Sequence, residues 1–260
     1  RLALARALFA TGETEQGLKQ LRQAWADPTV DATLEKMVLD EFGGQLGAGD
    51  HQLRVWKLIF DQSPNAALRN AKRLGSGYVQ AAKVAQALLA GAGNAEGQYN
   101  ALPAAMRQQP AMKYVMARYD RKRERYAKAR SILLTVPGNP AAMIDADAFW
   151  EERRIIARRS IGPGKKASER EAYKIAANHG FKDGSNAVEG EFLAGWIALR
   201  SLGDADAAVR HFKKLADIAP NRTEKARAHY WIGRAFAARG DKATAKEGFT
   251  YASQFSTIYY

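Results

Sequence analysis

The sequence predicts an all-α fold in which antiparallel helix pairs stack into a superhelical solenoid, and three observations predict it. A glycine followed by an acidic residue recurs with matched neighbours, apolar residues recur at helical spacing, and alternating polar and apolar runs of strand type are absent. Phe192, Trp196 and Leu199 illustrate the spacing, because residues at i, i+4 and i+7 lie along one side of a helix. We therefore expect helices throughout the chain and no sheet.

The repeated pattern occupies residues 7–21, 198–212 and 235–249, aligned on Gly12, Gly203 and Gly240. The residue four before the glycine is large and apolar in each copy: Leu8, Leu199 and Phe236. The residue five after it is small: Gly17, Ala208 and Ala245. The residue nine after it is again large and apolar: Leu21, Phe212 and Phe249. Glycine tolerates the left-handed conformation that ends a helix, and an acidic residue suits the positive N-terminus of the next. Gly203 and Gly240 are 37 residues apart, close to the roughly 34 of a tetratricopeptide repeat.

A fourth copy at 119–132 keeps Tyr119, Ala127 and Ile132, with Arg123 at the glycine position. Another glycine break, at 162–168, is predicted to be a turn between helices. This segment lacks the spacing of two glycines with Lys-Ser or Lys-Thr that defines a phosphate-binding loop, and no strand precedes it.

The composition limits the function classes. The chain has 260 residues, 40 Lys and Arg against 27 Asp and Glu, a net charge of +13 and no cysteine. Disulfides, thiolate metal sites and a cysteine nucleophile are thereby excluded. No apolar run approaches the roughly 18 residues that a membrane span requires. The positive charge would attract an anionic partner, which could be a nucleic acid, an anionic membrane surface or a carboxylate-rich polymer.

We find no catalytic, cofactor-binding or metal-binding constellation in the sequence. The four histidines are scattered singly and are expected to have surface or packing roles; they are His51, His179, His211 and His229. The carboxylate pairs at Glu151–Glu152 and Glu189–Glu191 could in principle serve a glycosidase. The arginines beside the first pair favour a charge cluster at a helix start. The five tryptophans, Trp25, Trp56, Trp150, Trp196 and Trp231, are expected in the core.

Basic residues are concentrated between 118 and 170, where 14 Lys and Arg accompany 7 Asp and Glu. On a curved solenoid such residues can form a continuous electrostatic surface, although a set of separate solvated helix faces is an equal alternative. The candidate polymer-contact residues are Arg121, Lys122, Arg123, Arg125, Lys128, Arg130, Arg153, Arg154, Arg158 and Arg159.

Several long strings resemble the superhelical domain of soluble lytic murein transglycosylases. They are FGGQLGAGDH at 42–51, DAFWEERRIIARRSI at 147–161, AANHG at 176–180, EFLAGWIALRSLGDADAAVRHF at 191–212, RAHYWIGRAFAARGDKATAK at 227–246 and a closing Thr-x-Tyr-Tyr at 257–260. The resemblance is strongest over 147–260, and 1–145 is less regular. It implies one α-superhelical domain over 1–260, shaped as a ring or horseshoe.

The resemblance further implies a periplasmic enzyme of Gram-negative bacteria whose lysozyme-like domain would follow residue 260. That domain cleaves the MurNAc–GlcNAc β-1,4 bond of peptidoglycan to a 1,6-anhydromuramoyl product. The implied partners are peptidoglycan glycan strands, their stem peptides and the chain's own catalytic domain, with no nucleic acid. The family's Glu-Ser and Gly-Leu-Met-Gln strings are absent from 1–260, so no catalytic residue carries over.

Two other functions remain open from the sequence. Helical-repeat arrays commonly bind a protein or peptide, so a stand-alone adaptor is the main alternative. Nucleic-acid binding through charge alone is the third, and it predicts strongly salt-dependent affinity for DNA. The chain begins without methionine, and we expect it to be a segment of something longer. The coding sequence beyond Tyr260 would separate the lyase from the adaptor.

Overall fold

A computed structural model describes residues 1–162, 164 and 166–255. The predicted turn at 162–168 is therefore described only in part, and the Thr-x-Tyr-Tyr string at 257–260 lies outside the described residues. Within the described ranges every regular element is helical and no strand occurs. The all-α prediction is confirmed.

The chain divides into two compact units, the first from Arg1 to Tyr119 and the second from Asp120 onward. The first contains α1 (Leu2–Ala10), α2 (Thr14–Trp25), α3 (Ala32–Phe42), α4 (Ala48–Phe60), α5 (Pro64–Ala71), α6 (Ser76–Leu89), α7 (Ala95–Asn100), α8 (Ala104–Arg107) and most of α9 (Pro110–Lys122). Helix α1 packs against α2, and α5 packs against both α4 and α6. Leu21, Trp25 and Phe42 belong to a buried cluster in this unit.

The second unit contains α10 (Tyr126–Leu134), α11 (Pro140–Met143), α12 (Ala146–Arg159), α13 (Lys166–Ala177), α14 (Gly184–Ile197), α15 (Ala205–Ile218), α16 (Arg222–Ala238) and α17 (Lys242–Ser253). From α12 to α17 each helix packs against the next along the chain. Phe212 and Leu215 of α15 are fully buried against Ala228 and Ile232 of α16. Consecutive helices therefore share one core.

The predicted helix ends at Gly12, Gly203 and Gly240 are confirmed, since all three have positive φ, at +82°, +68° and +83°. At Gly240 the glycine N–H donates to the Ala237 carbonyl at 3.0 Å, and the next N–H, of Asp241, donates to the Phe236 carbonyl at 3.1 Å. This pair of bonds is the Schellman motif. The Asp241 carboxylate then caps α17, because it accepts from the Thr244 N–H at 3.0 Å.

The fourth copy is displaced by one residue from its predicted alignment. Glu124, not Arg123, adopts the left-handed conformation, with φ of +58°. Ala129 and Leu133, five and nine residues later, are fully buried, whereas Ala127 is exposed. A non-glycine residue in this conformation costs roughly 1–2 kcal/mol. Because residue 124 is glutamate, no glycine marks the turn in the sequence. Without a glycine, the alignment of this copy rested on side-chain size alone, and it placed Arg123 at the position that Glu124 occupies.

A further copy was missed by the sequence analysis. Gln62 has φ of +60°, and buried Ala67 and Ala71 follow it by five and nine residues. Its left-handed residue is again not glycine, and both later positions are alanine. The repeat geometry thus also occurs in a part of the chain that the sequence presents as irregular.

In the last two helix pairs, a glycine of the first helix lies under a phenylalanine ring of the second. A Cβ added at Gly195 would lie 2.7 Å from the Phe212 ring, and one added at Gly233 would lie 2.7 Å from the Phe249 ring. The two spacings are 17 and 16 residues. A π-helical turn at Ala198–Leu202 accounts for the extra residue, because it ends α14 with one residue more than an α-helical end needs.

Gly233→Ala is expected to lower the free energy of unfolding by about 1–3 kcal/mol, because the new Cβ would overlap the Phe249 ring and the Ala245 carbonyl. Gly97→Ala in α7 is the control, since a Cβ there meets no atom within 4 Å. That change should leave stability equal or raise it by up to about 1 kcal/mol. Urea denaturation of both variants measures the difference. A Gly233 variant as stable as the Gly97 variant would contradict the close helix contact.

Candidate functional site

Arg153, one of the ten candidate contact residues, is fully buried and does not belong to a surface. Its guanidinium donates to the Asn178 carbonyl at 2.5 Å, the Val136 carbonyl at 2.7 Å and the Pro137 carbonyl at 3.2 Å. Burial lowers its pKa to about 10. The sequence-based assignment of Arg153 to the contact surface is therefore wrong: this arginine holds chain segments together.

Three other candidates are largely occupied by carboxylates. Arg121 pairs with Glu152, Arg125 with Asp120 and Arg130 with Glu171. The first pair is bidentate, since Nε and Nη2 of Arg121 each donate to one oxygen of the fully buried Glu152. These arginines neutralise acids of their own unit, so they add little net charge toward a ligand.

Arg154 and Arg158 share a single carboxylate. The guanidinium nitrogens lie 3.5 Å and 2.7 Å from the same oxygen of Glu189, and the Trp150 indole N–H donates to the other oxygen at 3.3 Å. Although burial opposes ionisation, the hydrogen bond from Arg158 and the nearby charges hold the pKa of Glu189 below its ordinary value. Two cations on one anion leave a net positive charge at this point.

The remaining four candidates, Lys122, Arg123, Lys128 and Arg159, are exposed, and we call them the exposed basic set. Arg159, at the end of α12, lies with its guanidinium 5.8 Å from the centre of the Tyr126 ring in α10. The other three lie within four positions of Tyr126 in the chain. The fold therefore brings Arg159 to Tyr126, and the other three residues of the exposed basic set flank this tyrosine in the chain.

A second polar cluster, centred on Glu191, was not predicted. Its buried carboxylate is 3.0 Å from His179 Nε2 and 2.7 Å from His211 Nδ1, and the Lys214 ammonium also pairs with it. His179 Nδ1 accepts from the Phe181 N–H at 3.1 Å, so the ring proton lies on Nε2 and faces the carboxylate. Helices α14 and α15 and the segment that follows α13 supply these groups.

The carboxylate pairs do not form acid–base pairs. Glu189 binds two arginines, while Glu191 binds histidines and a lysine. Glu151 and Glu152 lie beyond the first turn of α12, which begins at Ala146, so the expected charge cluster at a helix start is also wrong. A carboxylate already bound by several hydrogen-bond donors has low affinity for a reacting proton.

The Glu191 carboxylate is buried, and both of its oxygens already face protein donors. In the part of the chain that the structure describes, no group of three or more histidines and carboxylates could hold a metal ion. No described helix has the length and apolarity for crossing a membrane. Trp25, Trp56 and Trp150 are buried as expected, whereas Trp196 and Trp231 are only partly buried.

These observations define the class of the chain as an all-helical protein with ion-pair networks buried between its helices. Comparisons with family models, with curated proteins and with solved structures gave no match.

Proposed function

We propose that this chain is the non-catalytic superhelical scaffold of a periplasmic lytic transglycosylase, and that it holds the enzyme on peptidoglycan. The observation that carries the proposal is the exposed basic set around Tyr126. A lysozyme-like domain beyond residue 260 would cleave the MurNAc–GlcNAc bond to the 1,6-anhydromuramoyl product. The scaffold is expected to be a ring or horseshoe of tetratricopeptide-like helix pairs.

The glycine–phenylalanine contacts support the repeat part of the proposal. A tetratricopeptide repeat places a small residue of its first helix against a large residue of its second. Gly233 and Phe249 follow this pattern, and Gly195 and Phe212 follow it with one residue added by the π-helical turn. Such units stack into arrays with extended binding surfaces.

The charge distribution supports the peptidoglycan part. Stem peptides carry carboxylates, and exposed lysine and arginine side chains attract them in a manner that salt weakens. The exposed basic set combines four cations with the ring of Tyr126, which can contact the apolar side of a sugar or peptide.

One variant neutralises the exposed basic set with Lys122→Gln, Arg123→Gln, Lys128→Gln and Arg159→Gln. We expect its affinity for purified peptidoglycan, measured by sedimentation, to be about tenfold lower than that of the native chain. Each exposed pair contributes roughly 0.2–1 kcal/mol, and four together approach the 1.4 kcal/mol of a tenfold change. The bound fraction is measured across a salt series. Binding by the native chain should decline with salt and approach that of the variant.

The matched control removes two lysines and two arginines at other exposed positions: Lys83→Gln, Lys242→Gln, Arg73→Gln and Arg222→Gln. It has the same net charge as the test variant and should retain binding within about twofold of the native chain, because scattered surface charges contribute little. An equal loss of affinity in both variants would show that binding depends on total charge, and it would contradict a localised contact. Binding by the native chain that does not change with salt concentration would also contradict a localised charge contact.

A stand-alone helical-repeat adaptor is the second candidate, and an open cleft favours it. The cleft has a volume of about 450 Å³ and is formed by α15, α16 and α17, with Ile232, Phe236 and Tyr251 among its lining residues. A partner side chain could enter such a cleft. A stop codon directly after Tyr260 would favour the adaptor, and a lysozyme-like sequence containing Glu-Ser would favour the scaffold.

A further inference from the structure

Arg234 of α16 is held in place by aromatic groups. Its Nη1 donates to the Tyr230 hydroxyl at 3.0 Å, and its guanidinium carbon lies 5.8 Å and 5.7 Å from the ring centres of Tyr230 and Trp231. Among the described residues, this guanidinium forms no ion pair with a carboxylate. The side chain is thus oriented without being neutralised.

Arg227 lies two helical turns earlier and is also placed on an aromatic ring. Its guanidinium carbon is 4.2 Å from the centre of the Phe192 ring in α14, and it pairs with Glu224 at 2.6 Å. The Phe192 and Trp231 rings meet edge to face, with centres 5.9 Å apart. We call Phe192, Arg227, Tyr230, Trp231 and Arg234 the arginine–aromatic face.

This arrangement fits a carboxylate ligand. A guanidinium presents parallel N–H donors that match the two oxygens of a carboxylate, and ordering it in advance reduces the entropy lost on binding. The rings beside it are only partly buried and can contact apolar groups of the same ligand.

We propose that the arginine–aromatic face binds an acidic peptide in extended conformation, with one carboxylate on Arg234. Side chains alternate between the two sides of an extended peptide, so the side chain two positions from this glutamate faces the same way and would lie over the rings. The proposal does not depend on peptidoglycan binding by the exposed basic set.

The probe is a hexapeptide blocked at both ends, Gly-Glu-Leu-Leu-Glu-Gly, and its control carries glutamine in place of both glutamates. Isothermal titration calorimetry at low ionic strength should detect binding of the first and at least about tenfold weaker binding of the second, the size of change expected for losing charge-assisted bonds. Binding of the acidic peptide should decline with salt.

Arg234→Gln should weaken the acidic peptide about tenfold, while Arg234→Lys, which keeps the charge but not the paired donors, should weaken it less. Arg222→Gln is the matched control, because Arg222 is an exposed arginine of the same helix outside the arginine–aromatic face. It should bind like the native chain. Thermal unfolding of all three variants within a few degrees of the native chain separates a binding defect from a folding defect.

Three results would overturn the proposal. The first is equal affinity for the glutamate and glutamine peptides. The second is an equal loss in the Arg222 and Arg234 variants, which would indicate attraction by total charge. The third is tighter binding of a single-stranded oligonucleotide than of the acidic peptide, with loss in Arg234→Gln, which would assign the arginine–aromatic face to a phosphate polymer.

Discussion

Glu191→Gln is expected to lower the free energy of unfolding by about 3–5 kcal/mol, the range found when one partner of a buried ion pair is removed. The carboxylate binds His179, His211 and Lys214, and the first two contacts are 3.0 Å and 2.7 Å long. Glutamine has the same shape but no charge, and its amide nitrogen would face a donor. Urea denaturation at pH 7 measures the loss.

The pH dependence gives the same prediction a second readout. Although burial opposes ionisation, the hydrogen bonds from His179, His211 and Lys214 hold the pKa of Glu191 far below its ordinary value. A carboxylate with a lowered folded-state pKa stabilises the fold above its unfolded pKa of about 4.3, and this contribution declines as the pH falls further. The stability difference between the native chain and Glu191→Gln should therefore be constant above about pH 5.5 and shrink below about pH 4.5.

Glu151→Gln is the matched control, because Glu151 is an exposed glutamate of the same unit. It should change the free energy of unfolding by no more than about 0.5 kcal/mol. If Glu191→Gln were as stable as this control at pH 7, the Glu191 carboxylate would not be a buried ion-pair centre. A difference that stayed constant down to pH 3 would contradict the lowered pKa.

Arg153→Met is expected to cost about 3 kcal/mol of unfolding free energy. Methionine fills part of the volume but donates no hydrogen bond, so the carbonyls of Val136, Pro137 and Asn178 lose their shared donor. Each buried polar group left without a partner costs roughly 1–3 kcal/mol, and entry of water offsets part of the sum. Thermal or urea unfolding measures the effect.

Arg154→Met tests the same substitution one residue further along α12. The Arg154 side chain is 39% exposed and its contact to Glu189 is 3.5 Å long. The change should cost less than about 1 kcal/mol, the usual limit for an exposed pair. Similar losses for the two variants would contradict the distinction between a buried Arg153 and a surface Arg154.

Local signals allowed the fold class and three helix ends to be predicted. Gly12, Gly203 and Gly240 mark their turns because glycine alone adopts positive φ without strain. Glu124 and Gln62 occupy the same conformation with no such mark. Their conformation depends on the packing of the flanking helices, which no short sequence window contains.

The basic region was visible as a count of charges, but the direction of each side chain was not. Successive residues of a helix point about 100° apart, so Arg153 is buried while Arg158 and Arg159 are exposed. Glu191 was predictable in part, because only apolar residues and glycine follow it to the end of α14 and a buried carboxylate requires partners. Its histidine partners are 32 residues apart in the chain, and only the tertiary fold brings them together.

The central claim, a scaffold that holds peptidoglycan without cleaving it, is tested most directly by one incubation. The chain of residues 1–260 is mixed with purified peptidoglycan at low ionic strength, and the pellet and the soluble products are analysed together. We predict that the protein sediments with the polymer and that no 1,6-anhydromuropeptides are released. Protein that remains in solution, or soluble anhydro products above the protein-free level, would contradict the account.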